Sequence, residues 1–344
     1  MTKEEKIKNF DPNGVAANRN LFGLPFSKME SDLVVMPIPW ELTVSYSAGT
    51  AKGPDAVRNA SWQVDLFDPF YPGGWKHGIF LVDEDLSIKT ESARLRKFAE
   101  DYIDDLGNGN TNLITQKTIN EACEKMVEKV ETNCLELLNQ GKSIVLLGGD
   151  HSIPLGFIKA LSKRNESFGI LQIDAHADLR EAYEGFEYSH ASIMYNALKI
   201  KEVERLVQVG IRDYCLEEYD RVRYSKGRIV SFYDRDLKHE NYKGIRWESQ
   251  CENIISKLPQ KVYVSFDIDG LDPKLCPNTG TPVAGGFESE EVLFLLEKLV
   301  LSGRKIIGMD LNEIAPGDDE WDANVGARLL YRMCNLMNFR LEES

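Results

Sequence analysis

A chain of 344 residues with a formal net charge of −14 fits one large α/β domain or two small ones, and one is the simpler reading. So acidic a chain lacks the basic face that nucleic acid or an anionic membrane would demand, and a cationic partner suits it better. The six scattered cysteines form no CxxC pair, which argues against a thiolate zinc framework and for reduced core thiols.

The first ten residues, "MTKEEKIKNF", are charged and carry no apolar stretch or small-residue cleavage site, so a cytoplasmic location is expected. Residues 1–30 are polar with Pro and Gly breaks, and are expected to form an N-terminal extension on the surface or on a neighbouring subunit. Residues 31–344 are expected to form a single domain. A first strand is predicted at "DLVVMPI" (32–38). The stretch "LSIKTESARLRKFAEDYIDDLGNGNTNL" (86–113) reads as an inserted charged helix closed by a Gly/Asn turn, and a longer helix, "KTINEACEKMVEKVETNCLELLNQG", ends at Gly141. Further strands are predicted at "SIVLLGG" (143–149), "FGILQID" (168–174), "RLVQVGI" (205–211), "RIVSFYD" (228–234), "KVYVSFDID" (261–269) and "KIIGMDLNE" (305–313). Between the last two, "ESEEVLFLLEKLVLSG" opens with an acidic turn and stops at Gly303, as a helix should. None of these runs is long enough to span a bilayer. Most of the strands are apolar on both faces rather than alternating. That pattern, with strands and helices taking turns, predicts an α/β fold built on a parallel sheet covered on each side.

Three of these buried strands run into acids and imidazoles: "LLGGDHS" supplies Asp150 and His151, "QIDAHAD" supplies Asp174, His176 and Asp178, and "VSFDIDGLDP" supplies Asp267, Asp269 and Asp272. In a doubly wound sheet ligands bind beyond the carboxyl ends of the strands, so the three clusters are expected at one rim. Alternate residues of an extended chain point the same way, which lets Asp174, His176 and Asp178 converge, as well as Asp267 and Asp269. Carboxylates crowded at a low-dielectric rim repel one another unless a strong positive charge sits among them. Histidine with several aspartates and no cysteine suits Mn²⁺ or a similar ion rather than structural zinc, and this many donors suits two ions sharing carboxylates. An Asp at a strand end is ordinarily a helix cap, and a lone buried His is ordinarily hydrogen-bonded core. With only five histidines in the chain, two inside these clusters and His190 close behind, metal ligation is the better reading for the set. Asp150 and Asp272 stay open between capping a turn and supporting a ligand from behind.

The motifs "GGDHS" (148–152), "DAHADLR" (174–180) and "SFDIDGLDP" (265–273), with "PNTGTPVAGG" (277–286) and "DLNEIAP" (310–316), resemble in order and spacing the signatures of the ureohydrolases, the arginase and agmatinase superfamily. The resemblance covers about residues 30–340. It implies a three-layer α/β/α fold with a mostly parallel central sheet, a homotrimer or homohexamer, and metal-dependent hydrolysis of a small cationic guanidino substrate to urea and an amine. It also implies one metal on His151, Asp174, Asp178 and Asp267 and a second on His176, Asp174, Asp267 and Asp269. By the same resemblance Glu313 pairs with the guanidinium, His190 passes a proton to the leaving amine, and Asp178 orients the attacking water. The other two histidines, His77 and His239, match nothing. Cys276 is expected to be packing.

Where arginases carry an Asn/Ser/Thr-rich segment that reads the amino-acid end of their substrate, this chain has "LREAYEGFEYSHASIM", similar to certain agmatinases. Agmatine is therefore the first expectation, with Mn²⁺. The segments "FDPNG…NLFGLPF" (10–26), "PIPWELTVSY" (37–46) and "SWQVDLFDP" (61–69) resemble a subgroup similar to nickel-dependent guanidine hydrolases, which makes free guanidine, with Ni²⁺, the alternative. In that case Trp40, Tyr46, Phe186 and Tyr188 would narrow the pocket around a small planar cation. A guanidino-acid hydrolase or an arginase ranks behind both. A metal-binding relative without turnover would be marked by a missing ligand or a missing Glu313, and none is missing. A bimetallic phosphoesterase would need a basic clamp, for which the site sequence offers chiefly Arg180.

Overall fold

The computed structural model describes residues 1–16 and 18–339. Its strands are β1 (Leu33–Ile38), β2 (Ile79–Leu81), β3 (Ser143–Gly148), β4 (Phe168–Ile173), β5 (Val203–Ile211), β6 (Ile229–Tyr233), β7 (Lys261–Asp267) and β8 (Lys305–Asn312). They form one sheet in the order β2-β1-β3-β8-β7-β4-β5-β6, and each neighbouring pair is parallel. Every strand predicted from sequence is present, with ends within two residues of expectation. The unexpected one is β2, an edge strand of three residues, too short to display any period.

Side chains of the inner strands alternate between two apolar cores. Leu33, Val35, Val145, Leu147, Val262 and Val264 enter one core with Val57, Leu296 and Leu330, which stand on the helices Gly53–Ala60, Ser289–Leu301 and Trp321–Asn338. Val34, Met36, Ile144, Leu146, Ile170 and Tyr263 enter the other with Met126 and Phe157 from the helices Leu113–Asn139 and Pro154–Ser162. This is the three-layer α/β/α architecture, and it explains why the strands read as apolar on both faces: burial of each Val or Leu there contributes roughly 1.5–3 kcal/mol. The segment after residue 86 is the helix Leu86–Gly107, capped by Asp85, whose carboxylate accepts the Ser87 N–H. Its buried stripe of Ile88, Ser92, Leu95, Ala99 and Tyr102 follows the helical period.

The first thirty residues depart from a surface extension. The short helix Lys3–Asn9 is superficial, closed by a Thr2/Glu5 capping box, but Leu21, Phe22, Leu24 and Phe26 are buried in the first core. The apolar run "LFGLPF" was hidden in a polar average; tertiary packing, not local composition, decides where it goes. Among the described residues no helix is long and apolar enough to cross a membrane.

Candidate metal centre

The four central strands β3, β8, β7 and β4 are contiguous, and the chain, on leaving β3, skips two positions to β4. Their carboxyl ends meet at that reversal of strand order, the place where an open α/β sheet leaves a crevice. There β3 leads to His151, β4 to Asp174, His176 and Asp178, β7 to Asp267 and Asp269, and β8 to Glu313. The turn after β3 requires glycine: a Cβ on Gly149 would stand 1.8 Å from the Trp40 carbonyl oxygen, the same oxygen that accepts the Asp150 N–H at 2.7 Å.

Two groups of donors form. In the first, the buried Nδ1 of His151 lies 3.0 Å from Asp174 Oδ2, 2.9 Å from Asp178 Oδ2 and 3.4 Å from Asp267 Oδ2, yet makes no well-directed hydrogen bond to any of them. On its other edge Nε2 lies 2.9 Å from Ser265 Oγ, which in turn donates to Asp310 Oδ1 at 3.1 Å. Because Asp310 can only accept from that hydroxyl, Ser265 accepts from His151, which puts a proton on Nε2 and leaves Nδ1 as the ring atom turned toward the carboxylates. In the second group His176 Nδ1 lies 2.9 Å from Asp269 Oδ2 and 3.6 Å from Asp174 Oδ1. Asp174 thus turns one oxygen to each group. His151, Asp174 and Asp267 bring ligand atoms within 4.8 Å of one another, and so do Asp174, His176 and Asp269. The second oxygen of Asp267 accepts the Asp269 N–H at 2.9 Å.

Charge at this rim is poorly compensated by the protein alone. Burial, and then the neighbouring Asp174, pushes Asp178 up to about 7, while burial together with Asp269 and Asp174 pushes Asp267 well above the carboxylate range. Against their own burial, the surrounding carboxylates raise the affinity of His151 and His176 for a proton, and the two imidazoles lower Asp174 against its burial. The cluster therefore attracts positive charge, and a donor set of carboxylate oxygens and imidazole nitrogens without thiolate fits a pair of divalent ions. Backbone strain coincides with the site. Asp178 and Glu313 hold φ of 54° and 63°, a left-handed conformation that a non-glycine residue adopts only when its surroundings impose it.

Glu313 is buried, and its Oε1 accepts the His151 N–H at 2.8 Å. A Cβ on Gly280 would stand 3.3 Å from its Oε2. Burial and then Asp150 raise its pKa well above the usual range, so it too favours a cation as neighbour. Above the donors opens a cavity of about 470 Å³ lined by His176, Asp178, His190, Tyr46, Arg180, Tyr183, Asp213, Tyr214, Thr281 and Val283, among others. Burial first, then the charges of His176 and His151, hold His190 down to about 3, and its Nδ1 lies 3.4 Å from the Thr43 hydroxyl.

Of the four aromatic residues expected to narrow the pocket, Tyr46 alone is on the cavity wall. Trp40 is 1% exposed and packs in the second core, because the chain turns there to lay its backbone, not its ring, against Gly149. Phe186 is buried against Tyr102, with ring centroids 5.3 Å apart. Tyr188 packs beside the second core and reaches Glu124 at 3.4 Å. Asp150 caps the turn at Ser152 and meets Thr43, and Asp272 caps the turn at Lys274; neither reaches the donor groups. Cys276 is buried with its thiol pKa raised by burial, as packing requires. The sequence reading missed Ser265, Asp310, Thr43 and Asp213. Asp213, two residues past the end of β5, was open to the same strand-end rule.

The sequence profile of the arginase family matches residues 31–335. The chain belongs to the arginase family. Membership makes it a metal-dependent amidinohydrolase and implies a centre of two divalent ions, which the donor groups above accommodate. This arginase-family chain is 32% identical over 291 residues to the N(1)-aminopropylagmatine ureohydrolase of Synechocystis sp., covering 84% of this chain and 83% of that one. It is 30% identical over 334 residues to the agmatinase of Neisseria meningitidis serogroup B, covering 95% of each. In fold it resembles the agmatine ureohydrolase of Thermoplasma volcanium, with a TM-score of 0.71 at 24% identity over 97% of each chain.

Proposed function

We propose that the chain cleaves an N-substituted guanidine to urea and an amine in the manner of an agmatinase, with agmatine giving putrescine. The relatives named agmatinase and aminopropylagmatine ureohydrolase support this substrate class. The observation that carries it is the contact of Glu313, a buried carboxylate favouring a cationic neighbour, with the His151 N–H of the first donor group, beside a cavity of about 470 Å³ whose wall includes His176 and Asp178. That space exceeds what free guanidine fills and leaves room for an alkyl tail. Asp213, Tyr214 and Tyr46 on the wall suit a tail ending in an ammonium group, by charge and by cation–π attraction.

His151, Asp174, Asp178 and Asp267 would hold one ion, and His176, Asp174, Asp267 and Asp269 the other. A pair of divalent ions held there would supply the chemistry of a water acidified to near neutrality as a nucleophile for the guanidino carbon. Manganese suits the mixed nitrogen and oxygen donors. Glu313 binds and orients the guanidinium through a charge-assisted contact. Asp178 accepts a hydrogen bond from the attacking water, and His190, neutral at pH 7, is placed on the wall to take up and pass on a proton toward the departing amine. The same family membership supports a homotrimer or homohexamer.

Urea release is the test, with protein loaded with Mn²⁺ or Ni²⁺ in turn and offered agmatine, guanidine, arginine and 4-guanidinobutyrate. Agmatine with manganese is expected to give the highest kcat/KM. Preference for free guanidine with nickel would replace this reading by the guanidine-hydrolase one, and no urea from any compound would leave a metal-binding protein without turnover.

A further inference from the structure

Under the metal-binding loop lies a row of buried amides that no catalytic role has absorbed. Gln172 on β4 is in register with Gln208 on β5, and Gln208 with Ser231 on β6. Both glutamines are fully buried. The Ser231 hydroxyl donates to Gln208 Oε1 at 2.6 Å, Gln208 Nε2 donates to Gln172 Oε1 at 2.7 Å, and Gln172 Nε2 donates to Asp174 Oδ2 at 2.8 Å. The spare amide hydrogens go to the loop itself, from Gln172 to the His176 carbonyl at 3.2 Å and from Gln208 to the Ala177 carbonyl at 2.7 Å.

The polarity of this row is fixed by its ends. Asp174 as a carboxylate and the two carbonyls can only accept, so each glutamine must turn its NH₂ toward the loop. That leaves Gln172 Oε1 facing Gln208 and Gln208 Oε1 facing a hydroxyl. No flipped arrangement satisfies every group, and a buried amide left unsatisfied is costly. The atom gripped at the far end, Asp174 Oδ2, is the oxygen that lies 3.0 Å from His151 Nδ1, while Oδ1 is held by the His176 N–H at 2.6 Å. Both oxygens of Asp174, a carboxylate common to the two donor groups, are thereby pinned. The two gripped carbonyls, of His176 and Ala177, immediately precede Asp178 with its φ of 54°. The whole "DAHAD" turn is held from below by neutral donors, which add no charge to an already acidic cluster.

We infer that Gln172, backed by Gln208 and Ser231, is a positioning residue that fixes the shared carboxylate Asp174 and its loop for binding of the two ions. This rests on the metal reading of the site but not on the identity of the substrate. Neutral outer partners of metal ligands typically set metal affinity by about 10–100-fold. The row is therefore a determinant of affinity that lies three strands wide, away from the cavity.

Titration calorimetry of the full chain with Mn²⁺ tests it, with circular dichroism to verify folding. The expected result is affinity weakened about 10–100-fold in Gln172→Met. Gln208→Met is expected to weaken it less, and the double variant is expected to lose less than the sum of the two, because Gln208 acts partly through Gln172. Ser231→Ala, at the half-buried end of the row, is expected to lose a few-fold and Ser231→Thr to recover it, a rescue that loss of packing alone would not give. Wild-type affinity in folded Gln172→Met, or additive losses, would overturn the proposal. Should Gln172→Met fail to fold, the serine pair decides: wild-type affinity in Ser231→Ala, or no recovery in Ser231→Thr, overturns it. A wild-type chain that binds manganese but releases no urea would sink the substrate reading and leave this one standing, whereas one that binds no ion would overturn both.

Discussion

Asp178 and Glu313 share burial, a raised pKa and a left-handed backbone, yet they face different tasks, and substitution separates them. Asp178 Oδ2 lies 2.9 Å from His151 Nδ1 within the first donor group. Asp178→Ala is expected to cost more than about 100-fold in metal affinity, since removal of a mere supporting partner already costs 10–100-fold; metal content and turnover should fall together. Glu313 touches the first group only through the His151 N–H. Glu313→Gln keeps an acceptor for that N–H but loses the charge proposed to face the guanidinium. It is expected to lower kcat/KM by about 10–100-fold, the worth of one charge-assisted hydrogen bond, with both ions retained by elemental analysis. Loss of the ions in that variant would move Glu313 from substrate to metal. At this scale the donor residues were legible because aspartate and histidine at the ends of apolar strands have no ordinary reason to be there. Trp40 and Tyr188 were not legible, because an aromatic ring is equally at home in a core and in a pocket, and only the path of the backbone decides between them.

At the scale of elements, the strands of the central sheet announced themselves. A strand buried on both faces must be apolar at consecutive positions, and β3 and β4 are buried along nearly their whole length. The N-terminal segment shows the converse. Its four buried side chains form one short run, broken only by Gly23 and Pro25, inside a polar segment, and their burial depends on the first core, assembled from elements far away in sequence. Phe26, 1% exposed, is the direct test of whether this segment is part of the fold. Phe26→Ala is expected to cost about 3–5 kcal/mol in urea unfolding, whereas a segment merely lying on the surface would lose less than about 0.5 kcal/mol.

For the whole molecule, the net charge of −14 and the buried acids at the rim make metal binding a competition with protons. The carboxylates keep His151 and His176 more basic than a free imidazole, and each must give up a proton before Nδ1 can donate to an ion. The sign follows: metal affinity rises with pH while those protons are still bound, by about tenfold per unit for each proton displaced. Calorimetry at pH 6.5 and pH 8, in buffers of different ionisation enthalpy, should show tighter binding at the higher pH and proton release at both. Affinity independent of pH would mean that the imidazoles are not ligands.

The sequence by itself determined the α/β alternation and the placing of aspartates and histidines at three strand ends, because periodicity and chemical type are properties of short stretches of chain. Only the tertiary structure decided that these ends lie side by side in the order β3, β8, β7, β4, that Asp174 faces both donor groups, and that a row of amides crosses three strands to hold it. Those facts depend on which strands become neighbours and in what register. That choice is made by long-range packing of the two cores, and no local stretch of residues encodes it.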